Sequence, residues 1–165
     1  MKKQHILIIA AIAIVIIAVI LVSLLNKNEY TDQYSSNELF NKVSNSFATD
    51  GGIKELDQDV ILEFTDEDPP YLIDYTVIKA NNAKNINEIG IFKVKSGNAK
   101  EMLEIVKAYV ENLQQSYRAM DYFPEEVEKI DFATCKVYGN YVVYSFLNEK
   151  DTDSFYSAIE NNISK

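Results

Sequence analysis

Glu88 and Asp74 come nearest to a chemical pair in this chain of 165 residues. Each carboxylate stands in a stretch of β-forming residues, and a hairpin joining the stretches could set them side by side. Two carboxylates in one site can divide general-acid and general-base work, provided burial raises the pKa of one. Glu88 is the more conspicuous, because it interrupts an otherwise apolar strand. The plainer reading makes it an edge carboxylate bonded to backbone or to a lysine such as Lys93. Tyrosine is the second resource. Tyr71, Tyr75, Tyr122, Tyr138, Tyr141 and Tyr144 crowd the expected strands, and tyrosine suits binding surfaces as well as sheet packing with hydroxyls at the rim. Glu88, Asp74, Tyr122 and Tyr141 make up the candidate functional surface.

Other chemistries lack their parts. The single histidine, His5, lies ahead of a long apolar run, so no imidazole beyond that run can serve a Ser or Cys nucleophile. Cys135 alternates with Ala133 and Val137, which predicts the inward face of a strand and a small core hydrophobe. A lone cysteine forms no internal disulfide, and no base is in place to make it a thiolate. Asp57-x-Asp59, Asp66-Glu67-Asp68 and Glu125-Glu126-x-Glu128 lack the alternating ligands and sixth-position glycine of a calcium loop. Gly51-Gly52 has neither the third glycine nor the Lys-Ser/Thr pair of a phosphate loop. No metal and no cofactor is expected.

Charge narrows the partners. The chain carries 16 bases and 25 acids, a net −9. Every acid lies at Glu29 or later, while Lys2, Lys3 and Lys27 precede it. Residues 28–165 therefore hold 13 bases (16 less 3) against 25 acids, a net −12. Such a surface repels phosphate backbones, so nucleic acid is not an expected partner.

Two kinds of element must position these residues: an anchor and a folded domain. Ile6 to Leu25 is apolar except for Ser23, and as a helix its 20 residues would span roughly 30 Å, the hydrocarbon thickness of a bilayer. That length, and the large residues of Val22-Ser23-Leu24-Leu25, favour an uncleaved anchor over a signal peptide. Lys2 and Lys3 place the N-terminus in the cytoplasm and the rest outside. Residues 1–27 thus read as cytoplasmic tip and transmembrane anchor, 28–36 as a polar tether, and 37–165 as an extracytoplasmic domain.

Within that domain Ser36 is expected to cap a helix bearing Leu39, Phe40, Val43 and Phe47. A second helix is expected over Lys54–Phe64, where Leu56, Val60 and Phe64 stand four apart, ended by Pro69-Pro70. From Tyr71 the period becomes two, with strands Leu72–Ala80 and Glu88–Lys95 forming a hairpin. Asn98 and Glu101 suggest a capping box for a long helix, whose apolar stripe is Met102, Val106, Tyr109, Leu113 and Met120. Pro124 opens a short helical turn. Ala133–Tyr138 and Tyr141–Leu147 flank Gly139-Asn140, which suits a type II′ turn. Asp151 or Asp153 starts a last helix that buries Phe155, Ile159 and Ile163. The sum is an α+β fold: a four-stranded antiparallel sheet of two hairpins, covered by helices on one face.

The run Asn87-Glu88-Ile89-Gly90-Ile91-Phe92-Lys93-Val94, the helix with Gln115, then Tyr122-Phe123-Pro124 and Gly139-Asn140-Tyr141-Val142 follow a familiar order. Together they resemble the bacterial family catalogued as domain of unknown function 4358, over roughly Asp57 to Phe155. The resemblance implies a small envelope protein of Gram-positive bacteria, secreted, lipid-anchored or tethered by one helix. It implies no activity. No cysteine follows the apolar run, so a helix and not a lipid is the expected anchor here.

The function expected on these grounds is a membrane-tethered extracytoplasmic binding or interaction module of the bacterial cell envelope, without catalysis of its own. Its partners would be the lipid bilayer, through Ile6–Leu25, and an envelope protein or wall component. The alternative is a wall-modifying hydrolase that uses paired carboxylates.

Overall fold

The computed structural model describes residues 30–48, 53–55, 61, 63–81, 84–120 and 124–165. Ser35 opens the first helix, α1 (Ser36–Val43). Its Oγ accepts from the Glu38 N–H at 3.2 Å, and a Glu38 carboxylate oxygen accepts from the Ser35 N–H at 2.8 Å. This reciprocal capping box lies one residue ahead of the expected cap, Ser36. Leu39 and Val43 are buried, a 3-10 turn follows at Ser44–Ser46, and Phe47 beyond it still reaches the core.

The chain continues through β1 (Ile53–Glu55), β2 (Leu72–Ala80), β3 (Glu88–Val94), α2 (Ala99–Arg118), α3 (Pro124–Phe132), β4 (Thr134–Tyr138), β5 (Tyr141–Phe146) and α4 (Glu149–Ile163). The strands form one sheet in the order β1-β2-β3-β5-β4, and every neighbouring pair is antiparallel. The architecture is α+β, and both expected hairpins are present, joined through β3 and β5.

A short fifth strand was not expected. Ile53–Glu55, whose last two residues open the stretch read as a helix, pairs instead with Ile78–Ala80. Its ladder satisfies N–H and C=O groups that β2 would otherwise leave open along that edge, and this demand overrides a weak helical spacing. Leu56 and Val60, which carried that spacing, lie outside the described residues.

Helices cover both faces of the sheet, not one. Leu39, Val43, Ile89, Ile91, Phe155 and Ile159 belong to a core that packs α1 and α4 on one side. Val77, Phe92, Met102, Val106, Ile130 and Val142 belong to a core that packs α2 and α3 on the other. β5 is accordingly buried at every position, the pattern of a strand covered on both sides.

Smaller departures have local causes. Asn98 stands at the N-cap of α2 but makes no side-chain cap bond, so the expected capping box with Glu101 does not form. Met120 lies past the end of α2 and is 56% exposed, off the stripe assigned to it. α4 begins at Glu149, capped by Asn148, whose Oδ1 accepts from the Asp151 N–H at 2.9 Å. Phe155, Ile159 and Ile163 are buried as expected. β4 is an edge strand, so Cys135 is half-buried and Val137 is exposed rather than turned fully into the core. Gly139 has φ +58° and Asn140 no positive φ, which fits the type II′ turn.

The segment expected as a tether is bound to the domain from Tyr30 onward. Tyr30 bridges to Ser164, and the Thr31 N–H donates to the Ile163 carbonyl at 2.7 Å. The Tyr30 ring stands edge-on to Tyr138, with centroids 5.6 Å apart. Asn140 Nδ2 donates to Asp32 at 3.1 Å. The expected anchor, Ile6 to Leu25, lies outside the described residues. Among the described residues no helix is long and apolar enough to cross a membrane.

Candidate functional site

Glu88 is the first residue of β3, the middle strand of the sheet, and is 3% exposed. The period of two puts Glu88, Gly90, Phe92 and Val94 on the face that α2 covers. Glu88 Oε1 accepts from the Tyr109 hydroxyl at 2.7 Å and from the Tyr144 hydroxyl at 2.5 Å. Its Oε2 lies 3.6 Å from Lys79 Nζ, which also bonds Glu63 at 2.7 Å. Lys79 is the cross-strand partner of Glu88 in β2. Phe64 stacks on Tyr109, with centroids 3.8 Å apart, and closes one side of the cluster. Glu88 is neither an edge carboxylate nor a partner of Lys93; it is the hub of a buried network.

Burial raises the pKa of Glu88, and Lys79 with the two hydroxyls offsets part of that rise. The same burial, reinforced by the nearby carboxylate, pushes Tyr109 and Tyr144 far up. Both phenols hold their protons and donate them to Oε1. Groups removed from water and fully bonded in this way stabilise one arrangement of the core.

Gly90 makes the arrangement possible. It faces Tyr144 across the β3–β5 ladder. A Cβ at position 90 would press into that ring, with Cδ1 at 2.8 Å and Cζ at 2.9 Å. The missing side chain admits the ring, and the ring delivers its hydroxyl to Glu88. Glycine inside a strand often marks such a close approach, and that was the available signal for Tyr144. Tyr109 was legible only as a stripe residue of α2.

A second buried charge pair pins the β2–β3 connection. Glu126 Oε1 lies 2.7 Å from Lys129 Nζ, and Glu126 Oε2 accepts from the Ile86 N–H at 2.8 Å. Lys129 Nζ also reaches Asn85 Oδ1 at 3.3 Å. Glu126, weighed above as a metal ligand, has both oxygens engaged with protein donors.

Asp74 and Tyr141 lie on the opposite face from Glu88. Asp74 Oδ1 accepts from the Ser36 N–H at 2.6 Å, at the start of α1. The Tyr141 hydroxyl donates to the Tyr34 carbonyl at 2.6 Å, and Lys93 Nζ donates to the same oxygen at 2.8 Å. Tyr141 is fully buried, which pushes its phenol up to about 12. Asp74, Lys93 and Tyr141 thus grip the Tyr34–Ser36 corner from one face, while Glu88 works on the other. The structure does not bring Asp74 and Glu88 together. The hydroxyls of Tyr141 and Tyr144 bond inside the protein and not at the rim. Tyr122 lies outside the described residues. Burial raises the thiol pKa of Cys135, which keeps it protonated.

The fold and this cluster define a class: an α+β domain whose antiparallel sheet buries a tyrosine-bonded carboxylate on its central strand. Domain of unknown function (DUF4358) matches residues 55–147, more than half of the chain, and the chain belongs to that family. The matched stretch includes Glu88, Gly90, Tyr109 and Tyr144, and leaves α1 and α4 outside it. Neither a curated protein nor a solved structure matches the chain.

Proposed function

We propose that the chain is a membrane-tethered extracytoplasmic module of the bacterial cell envelope that works by binding, with no catalysis of its own. The observation that carries this reading is the engagement of Glu88. One oxygen takes two tyrosine hydroxyls, the other faces Lys79, and the residue is 3% exposed. Neither oxygen is offered to a substrate, although burial gives Glu88 the raised pKa that a general acid needs. The membrane part of the reading is supported by the 20-residue apolar run Ile6–Leu25 and by Lys2 and Lys3 ahead of it. The partner is another envelope protein or a wall component.

A wall-modifying hydrolase is the second reading. It would need a carboxylate pair other than Asp74 and Glu88, because these two lie on opposite faces of the sheet.

The test uses the full chain in its membrane. A photoreactive residue at Asn81, an exposed position just past the end of β2 and beside the Glu88 end of the sheet, should give a discrete crosslinked product in intact cells. Isolated wall polymer incubated with the same membranes should release no soluble fragments beyond those from membranes lacking the chain. Any fragment release that depends on the chain would overturn the reading in favour of the hydrolase.

A further inference from the structure

We infer that the domain meets the bilayer with the end of its sheet formed by the Gly139-Asn140 turn, the start of α2 and the end of α4, and points its Glu88 end away from lipid. The inference rests on the anchor reading of Ile6–Leu25.

Tyr30 is fixed to the domain by the bridge to Ser164, the Thr31 bond to Ile163 and the ring contact with Tyr138. The turn glycine lies beneath it: a Cβ on Gly139 would come within 3.1 Å of Tyr30 Cβ. From Leu25 to Tyr30 there are five Cα steps, which reach at most about 18 Å. The point where Tyr30 docks can therefore stand no farther than that from the end of the anchor.

That point belongs to one end of the sheet. β3 and β4 finish there, at Val94 and Tyr138, and β2 and β5 begin there, at Leu72 and Tyr141. The Val94 N–H donates to the Asn140 carbonyl, and the Lys95 N–H to the Tyr71 carbonyl, each at 2.9 Å. Glu88, Ala80 and Phe146 mark the other end. At about 3.4 Å per residue the two ends of β3 are about 20 Å apart. A tether free as far as Ser36 would let the domain take any orientation; docking from Tyr30 onward removes seven residues of that freedom. Residues 28–165 carry a net −12, so no attraction to anionic headgroups lays a long side of the domain on the membrane. The end bearing Glu88, Asn85 and the Glu126–Lys129 pair is the one presented to other envelope components.

The experiment places a nitroxide in the full chain, in a Cys135→Ala background, at Ser96→Cys or at Glu149→Cys. Both sites are exposed, one at each end of the sheet. The chain is reconstituted in phosphatidylcholine vesicles that carry a headgroup-chelated gadolinium lipid, and flotation is measured on the same samples. The expected result is a relaxation enhancement several-fold larger at Ser96→Cys than at Glu149→Cys. Equal enhancement, or a larger one at Glu149→Cys, in chain that floats with the vesicles would overturn this orientation and leave the anchor standing. Chain that fails to float would overturn the anchor, and the orientation with it.

Discussion

Gly90 and Tyr144 face each other across the β3–β5 ladder, and the tyrosine ring fills the space that a side chain at position 90 would need. Glu88, two residues before Gly90 on the same face, receives the hydroxyl of that ring at 2.5 Å. The pair explains why a central strand tolerates a glycine, which otherwise weakens sheets. Gly90→Ala should cost about 1–3 kcal/mol or more, the range for overpacking a filled core. Urea denaturation measures this, and the loss should be smaller in a Tyr144→Ala background. Equal losses in both backgrounds would separate the glycine from the ring.

Removing one hydroxyl from the hub tests its hydrogen bonds. Tyr109→Phe or Tyr144→Phe should each cost about 1–3 kcal/mol, the range for leaving a buried partner short of a hydrogen bond. The two losses should not add, since both hydroxyls share Oε1. Denaturation of the single and double variants gives the coupling.

The pH dependence of Glu88 has a definite sign. Burial raises its folded pKa above the ordinary value of 4.5, so the folded state holds the proton more tightly than the unfolded chain. Its contribution is complete below that ordinary value and is lost as pH rises through the folded pKa. The stability of the wild type relative to Glu88→Gln should therefore fall as pH rises from the ordinary value of 4.5 through the folded pKa. A gap that grows with pH would mean that Lys79 and the tyrosines outweigh burial.

The tyrosines should resist ionisation. Tyr138 and Tyr141 are pushed up to about 12 by burial, and Tyr109, Tyr144 and Tyr156 lie higher still. Unfolded tyrosines ionise near 10, so stability is lost as pH climbs from there toward the folded values. Ultraviolet titration of the native chain should show an early phase from the accessible phenols, followed by a late one that coincides with unfolding. A single phase near 10 in folded protein would contradict the burial of these hydroxyls.

The strands and the long helix were legible because their periods are strong. Leu72–Ala80 and the stripe of Met102, Val106 and Tyr109 show where backbone pattern and burial agree. β1 was not legible, since three residues carry no period and Ile53–Glu55 is a strand only through its pairing with Ile78–Ala80. The second helical face was missed because alternation in β2 suggested one covered side, whereas the unbroken apolar run from Tyr141 to Tyr144 carried the contrary signal. Glu88 stood out as a carboxylate among apolar residues. Its partners did not, because Tyr109 and Tyr144 are distant in sequence and meet it only through the packing of α2 and the pairing of β5.

Whether this domain works outside the cell decides its function, and topology can be read directly. The proposed topology rests on charge: two lysines and no acid precede Ile6, while Lys27 and Glu29 nearly cancel beyond Leu25, and the positive-inside rule then expects the C-terminal side outside. The measurement is labelling of Asn28→Cys, in a Cys135→Ala background, with a membrane-impermeant maleimide on intact cells. Labelling before lysis is the expected result. Labelling that appears only after lysis would put the domain in the cytoplasm and contradict an envelope role.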